Sequence, residues 1–235
     1  ILPEDTKARV PISLSFTMAS LGNDSVFEKE VVTFEVRQDH RWAFDLSYEG
    51  YSINGTTFAL DPGDDISITV NATNTGNLVD DLSLVTNTQL FRRGSDQSQG
   101  WWANGSSTSN VSVNDTEELT ISASVPSDSW NGSRLMVNVV ADARNEIIME
   151  FHFFVEVARE PGWGISSIMT DLEIDANGSV VEIEILQEGN NPSIPFVSAY
   201  ISGQNGWVIG EIGELPEVAP GSSTILSFNI TPPET

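Results

Sequence analysis

The chain is 235 residues long and carries 34 Asp and Glu against 10 Lys and Arg, a formal net charge of −24. A field of that sign repels phosphate backbones and anionic membrane surfaces, which argues against nucleic acid as a partner and against direct membrane insertion. The absence of Cys excludes a disulfide framework, thiol chemistry and Cys-ligated metal. The length accommodates one or two domains with cores of their own, and no apolar run approaches the roughly 18 residues of a membrane-spanning helix.

In chain order, the first periodic segments are Val10-Ile12-Leu14-Phe16-Met18 and Val32-Phe34-Val36, each alternating with polar neighbours. A period of two predicts strands half buried against a core. The pattern returns in Ile66, Ile68 and Val70, with Ser67 and Thr69 on the other face. It recurs in Leu119-Ile121-Ala123-Val125, in Leu135-Val137-Val139 and in Met149-Phe151-Phe153-Val155-Val157. Turn residues separate these runs at 61–65, 74–77 and 104–106. No segment sustains a 3.6-residue stripe, so the expected class is all-β, a sandwich or a barrel.

The chain also repeats itself. Phe34-Glu-Val-Arg-Gln-Asp-His-Arg-Trp42 returns as Val155-Glu-Val-Ala-Arg-Glu-Pro-Gly-Trp163, and Asn74-Thr-Gly-Asn77 as Gln187-Glu-Gly-Asn190. Gln99-Gly-Trp101 matches Asn205-Gly-Trp207, and Val125-Pro126 matches Thr231-Pro232. This register divides the chain into three parts. Residues 1–37 read as the last two strands of a preceding or permuted repeat, 38–160 as a complete repeat, and 161–235 as a repeat lacking its own last two strands. Either the chain is an excerpt of a longer repetitive protein, or residues 1–37 supply the strands missing from 161–235. That completion could be within one chain or head-to-tail between chains. The expected partners are neighbouring repeats of the same protein or identical chains.

The run Leu60-Asp-Pro-Gly-Asp-Asp-Ile-Ser-Ile-Thr-Val-Asn-Ala-Thr-Asn-Thr-Gly-Asn77, the Gly-Trp segment after it, and Leu119-Thr-Ile-Ser-Ala-Ser-Val-Pro126 resemble a recurring extracellular module. They are similar to the immunoglobulin-like cell-adhesion-related domain of bacteria and archaea, and to the sandwich domain appended to some secreted glycosidases. The resemblance covers residues 51–158, extends loosely to 163–235, where the Pro-Gly is missing, and reaches 1–37 only as final strands. It implies tandem immunoglobulin-like β-sandwich repeats acting as stalks, spacers or adhesion modules of a surface protein, archaeal-like in character, with no catalytic set to carry over.

Nine Asn-x-Ser/Thr sequons lie at Asn23, Asn54, Asn71, Asn104, Asn110, Asn114, Asn131, Asn177 and Asn229. That is about threefold what the Asn, Ser and Thr content produces by chance, so several are expected to carry N-linked glycan on a secretory route. The segment 89–104 sets Phe91, Arg92 and Arg93 near Trp101 and Trp102. Two of the few cations beside aromatics make it the candidate contact for a carbohydrate or another partner, with one of the two tryptophans expected in the core.

Asp61, Asp64 and Asp65 in one turn, and Asp80 and Asp81 in another, are candidate calcium ligands without the spacing of a dedicated loop. No other cofactor is implied. His40 and His152 have no nucleophile or metal-binding partner nearby in sequence. Trp42 and Trp163 fall just after a closing strand, where they would plug the joints between modules. The expectation is a non-enzymatic, extracellular, cell-surface structural protein: a glycosylated stalk, surface-layer or filament segment. The alternative is a carbohydrate- or partner-binding ancillary domain of a secreted protein.

Overall fold

The computed structural model describes residues 7–20, 22–168, 174–175, 177–202 and 206–233. All its regular elements are strands. They begin with β1 (Pro11–Ser20), β2 (Asn23–Glu35), β3 (Trp42–Asp45), β4 (Ser47–Tyr48), β5 (Tyr51–Ser52) and β6 (Thr57–Leu60). β7 (Asp65–Asn74), β8 (Asp80–Phe91), β9 (Trp102–Gly105), β10 (Ser107–Val111), β11 (Thr116–Ser124), β12 (Arg134–Ala143) and β13 (Glu146–Val157) follow. The last are β14 (Trp163–Ile168), β15 (Ser179–Gln187), β16 (Val208–Ile209) and β17 (Ser223–Thr231). The fold is all-β, and no helix among the described residues is long and apolar enough to cross a membrane.

Two sheets make the central unit. One has the order β3-β7-β11-β9, and the other β10-β8-β12-β13-β6. Within them only β13 and β6 run parallel. The alternation read from the sequence decides which side chains face inward. Ile66, Ile68, Val70 and Ala72 of β7 join Leu119, Ile121 and Ala123 of β11 from one sheet. Leu82 and Leu84, Leu135 to Ala143 at every second position, and Phe151, Phe153, Val155 and Val157 meet them from the other. Phe153 is fully buried near the centre, with the Phe58 ring edge-on to it at 5.8 Å. A face-to-face pair of sheets is the arrangement in which period-two strands hide one side and solvate the other. The short β4–β5 pair adds Tyr48, which packs on Phe58.

The remaining strands form two further sheets. The order β14-β15-β17-β16 parallels that of the first central sheet, β3-β7-β11-β9. In each, a strand opening on Trp pairs with a longer one, through Trp42↔Asn74 and Trp163↔Gln187. The inner face of β15 and β17 carries Val181, Ile185, Leu226 and Phe228. Val197, Ile212 and Leu215, from the irregular segment after β15, pack over it where the central unit has a second sheet.

Among the described residues β1 and β2 pair only with each other. Their register, Ile12↔Phe34, Leu14↔Val32 and Phe16↔Glu30, builds one apolar and one polar face. The apolar face lies open: Leu14, Phe16, Met18, Val32 and Phe34 are all exposed, Phe16 to 56%. Alternation correctly marks these as strands, but here no core covers them.

Candidate functional site

The two joints of the chain are built alike. At the first, Asn77 Oδ1 accepts from the Asp39 N–H at 2.9 Å while its Nδ2 donates to the Arg37 carbonyl at 2.9 Å. At the second, Asn190 Oδ1 accepts from the Glu160 N–H at 2.8 Å and its Nδ2 donates to the Ala158 carbonyl at 2.7 Å. Backbone bonds run alongside in both, from Asn77 N–H to Asp39 O and from Asn190 N–H to Glu160 O. The glycine before each Asn is required by proximity. A Cβ on Gly76 would lie 2.3 Å from Asp39 O, and one on Gly189 would lie 2.5 Å from Glu160 O.

The polar residue three before each of these Asn closes the turn. Asn74 Oδ1 accepts from Gly76 N–H, and its Nδ2 donates to Leu78 O and Val111 O. Gln187 Oε1 accepts from Gly189 N–H, and its Nε2 donates to Asn191 O and Ser193 Oγ. All four amides are thereby used for backbone positioning, and Asn74 and Gln187 are buried. Their repetition, including the Gln for Asn exchange, explains why the tetrapeptide recurs.

At the first joint a cleft of about 860 Å³ is lined by residues 36–42, Thr75, Asn77 and 146–148. Next to it, fully buried Asp80 takes bonds from every side. His40 Nδ1 lies 2.9 Å from Oδ2, the Trp42 indole N–H donates to the same oxygen at 3.3 Å, and Arg144 Nε stands 3.2 Å from Oδ1. Arg144 also reaches Asp81 at 3.7 Å, and Asp81 Oδ1 accepts from the Asn110 N–H. Asp80 and Asp81, candidate calcium ligands by sequence, are thus engaged by cations and N–H donors. Asp61, Asp64 and Asp65 are exposed in their turn. Among the described residues no group of three or more His, Asp and Glu converges as a metal site would require. His152 is exposed, its ring edge-on to Phe154.

The two joint tryptophans differ. Trp42 is 8% exposed within the central core, whereas Trp163 is 38% exposed. In the central unit β12 and β13 belong to the sheet that closes the core over Trp42; residues 161–233 have no such pair among their described strands.

The 89–104 segment spends its cations internally. Arg92 donates to the carbonyls of Asp96 and Ser98. Arg93 crosses to the second joint, donating to Asn131 O and Oδ1 and, at 2.9 Å, to Asn191 Oδ1. Buried Asp96 accepts from Ser133 Oγ, Ser98 N–H and Trp130 N–H. Burial alone would raise its carboxyl; the hydrogen bonds from Ser133, Ser98 and Trp130 together outweigh that and hold it below the ordinary carboxylate range. Trp101 packs against the core with its indole N–H on Ser98 Oγ, while Trp102 is 45% exposed. Phe91 is exposed but stacked under Arg134, whose guanidinium lies 5.3 Å from its ring centroid. Of the five residues, Phe91 and Trp102 keep exposed rings, while the two arginines are hydrogen-bonded to other parts of the chain.

Seven sequon asparagines have exposed side chains: Asn54, Asn71, Asn104, Asn110, Asn114, Asn177 and Asn229. Asn131 is half buried and its Nδ2, the atom that would carry a glycan, donates to Val157 O at 3.1 Å. The side chain of Asn23 lies outside the described residues. Sequence reasoning missed Asn77, Asn190, Asp80 and Arg144 as joint residues. The repeated Gly-Asn was the one available signal.

No protein-family model matches the chain, and no curated protein matches it. Among solved structures it is similar to the secreted serine protease VesC from Vibrio cholerae, at 11% identity and a TM-score of 0.29, over 81% of this chain and 46% of that one. The chain thus spans about half the length of the protease. A second similarity is to a chain of a chaperone-tip adhesin complex of CFA/I fimbriae biogenesis, at 11% identity and a TM-score of 0.32, over 83% of this chain and 86% of that one. At these scores both are distant likenesses.

Proposed function

We propose that the chain is a stretch of tandem immunoglobulin-like β-sandwich repeats from an extracellular, cell-surface protein, and that its role is structural. The repeats space or assemble; they do not catalyse. The observation that carries this reading is the duplicated joint. A protein that builds the same Gly-Asn latch twice, 113 residues apart, is controlling how consecutive units follow one another. Such control suits a stalk, surface layer or filament. The carboxylates and the seven exposed sequons would coat it with charge and glycan, discouraging lateral aggregation.

The test is surface biotinylation of intact source cells followed by glycopeptide mass mapping. The expected result is a labelled protein with glycan at exposed sequons such as Asn71 and Asn114. An unlabelled protein with bare asparagines would overturn the reading. The open Trp102 ring supports one alternative, a carbohydrate- or partner-binding role for the 89–104 segment. Binding on a glycan array that is lost in Trp102→Ala would favour it.

A further inference from the structure

We infer that the β1–β2 hairpin of one chain completes the open unit at residues 161–233 of a second copy, so that chains join head to tail. This rests on reading 1–37 and 161–235 as complementary parts of modules, and is independent of where the protein resides or whether it is glycosylated.

The central unit supplies the template. There the β12–β13 hairpin pairs Leu135↔Val155, Val137↔Phe153 and Val139↔Phe151, and all six residues are buried. The β1–β2 hairpin has the same construction, with Ile12↔Phe34 and Leu14↔Val32 standing for the first two pairs. Both hairpins lead directly into a latched joint, at Arg37 and at Ala158. Glu30, opposite Phe16, and Glu28, opposite Met18, depart from the apolar series.

The acceptor is visible in the same register. In the central unit β12 pairs with β8, whose Leu82 and Leu84 face the core. Counting from the two joints, Pro195 and Val197 hold those places in the last unit, and they too turn inward. The alternate residues Ile194, Phe196 and Tyr200 are exposed, Phe196 to 96%. Among the described residues this segment belongs to no sheet beyond the single Ser193↔Val218 bridge. A segment with backbone outside any sheet can accept an added strand, here β1 of the incoming hairpin. Beside it an apolar cleft of about 220 Å³, lined by Trp163, Ile165, Ile183, Ile185, Phe196 and Leu226, would receive the hairpin's apolar face.

Geometry favours a second copy over closure within one chain. The first joint is latched near Asn74, where β7 ends. The second leaves beside Val157 and Asn131, at the sandwich end where β11 runs out into Val125 and β7 begins. β7 is ten residues long, so about 33 Å separates the two joints from which the hairpin and the last unit start. Charge decides which ends meet. Lys7, Arg9, Lys29, Arg37 and Arg41 place five of the ten cations in the first 41 residues, whereas residues 161–235 hold ten carboxylates and no cation. Head-to-tail contact therefore pairs the least acidic end with the most acidic one, and tail-to-tail contact opposes like fields.

The experiment uses the 235-residue chain in sedimentation velocity from about 1 to 200 µM, with two variants on exposed positions, Phe16→Asp on the hairpin and Ile165→Asp at the cleft. The wild type is expected to grow beyond a dimer with concentration. Each variant alone should lose the long assemblies, leaving monomer. Mixed, they should recover a heterodimer and no more, because one intact hairpin meets one intact cleft. A wild type that stays monomeric throughout overturns the inference, and so does assembly of either variant that matches wild type. Protection of the hairpin amides in a monomer would assign closure within the chain instead. Circular dichroism of both variants checks that the central unit is intact.

Discussion

Asn77 and Asn190 stand 113 positions apart and make the same pair of bonds to the linker that precedes them. Each holds a linker N–H and the carbonyl two residues earlier, at distances between 2.7 and 2.9 Å. Neither belongs to a sequon, so their amides serve position rather than modification. A planar amide that donates and accepts at once fixes both the path and the rotation of the linker, which a hydroxyl would do less completely.

Asn77→Ala therefore leaves a linker N–H and a carbonyl without their partners. The expected loss is about 1–3 kcal/mol, according to how well water replaces the amide. Asn77→Asp keeps the acceptor for Asp39 N–H but has no donor for Arg37 O, and is expected to fall between wild type and Ala. Urea unfolding of the chain, with amide exchange at residues 37–41, measures both effects.

Gly76→Ala places a methyl 2.3 Å from Asp39 O, against backbone that cannot step aside without opening the joint. The expected outcome is destabilisation of about 1–3 kcal/mol. Gly213→Ala, with nothing within 4 Å of the added methyl, is expected to stay within about 0.5 kcal/mol of wild type. Equal melting temperatures for the two variants would dismiss the close approach as the reason for Gly76.

The pair Phe153 and Val32 tests the contrast between a covered and an uncovered strand, since both occupy the same place in their hairpins. Phe153→Ala empties the centre of the sandwich and is expected to cost about 3–5 kcal/mol. Val32→Ala, measured at concentrations too low for assembly, is expected to cost less than about 1 kcal/mol, because its side chain is already in water. Calorimetry on dilute samples separates them.

The Asp96 carboxyl carries the acid sensitivity of the 89–104 segment. Its folded pKa is depressed below the unfolded value of about 3.9. The stability it contributes is therefore fully present above that value and is lost as pH falls through the folded pKa. Wild type is expected to lose stability as pH drops below about 4, and Asp96→Asn to show a flatter profile there from a lower starting point. Denaturation midpoints between pH 3 and 7 report it; parallel profiles would remove Asp96 from the account.

Strand phase was legible residue by residue. Ile66, Ile68 and Val70, and Leu119 through Val125 at every second position, are buried as their alternation predicts. The duplicated joints were legible as recurring words, Asn-Thr-Gly-Asn and Gln-Glu-Gly-Asn, without their hydrogen bonds. Side-chain partners were not legible. Arg92 and Arg93 read as a candidate contact beside aromatics, and in the fold loop carbonyls and Asn191 engage them. His40 read as a bystander and instead joins Trp42 and Arg144 around Asp80.

The division has a physical reason. Periodicity, turn chemistry and charge are local or additive, so 235 residues read in order determined the all-β class, the strand phases and the acidic character of the chain. Burial of a polar group and exposure of an apolar one depend on what arrives from elsewhere in the sequence. Only the tertiary structure decided that Asp80 lies inside a ring of donors, that Trp42 is covered while Trp163 is largely open, and that the apolar face of β1 and β2 meets no core among the described residues.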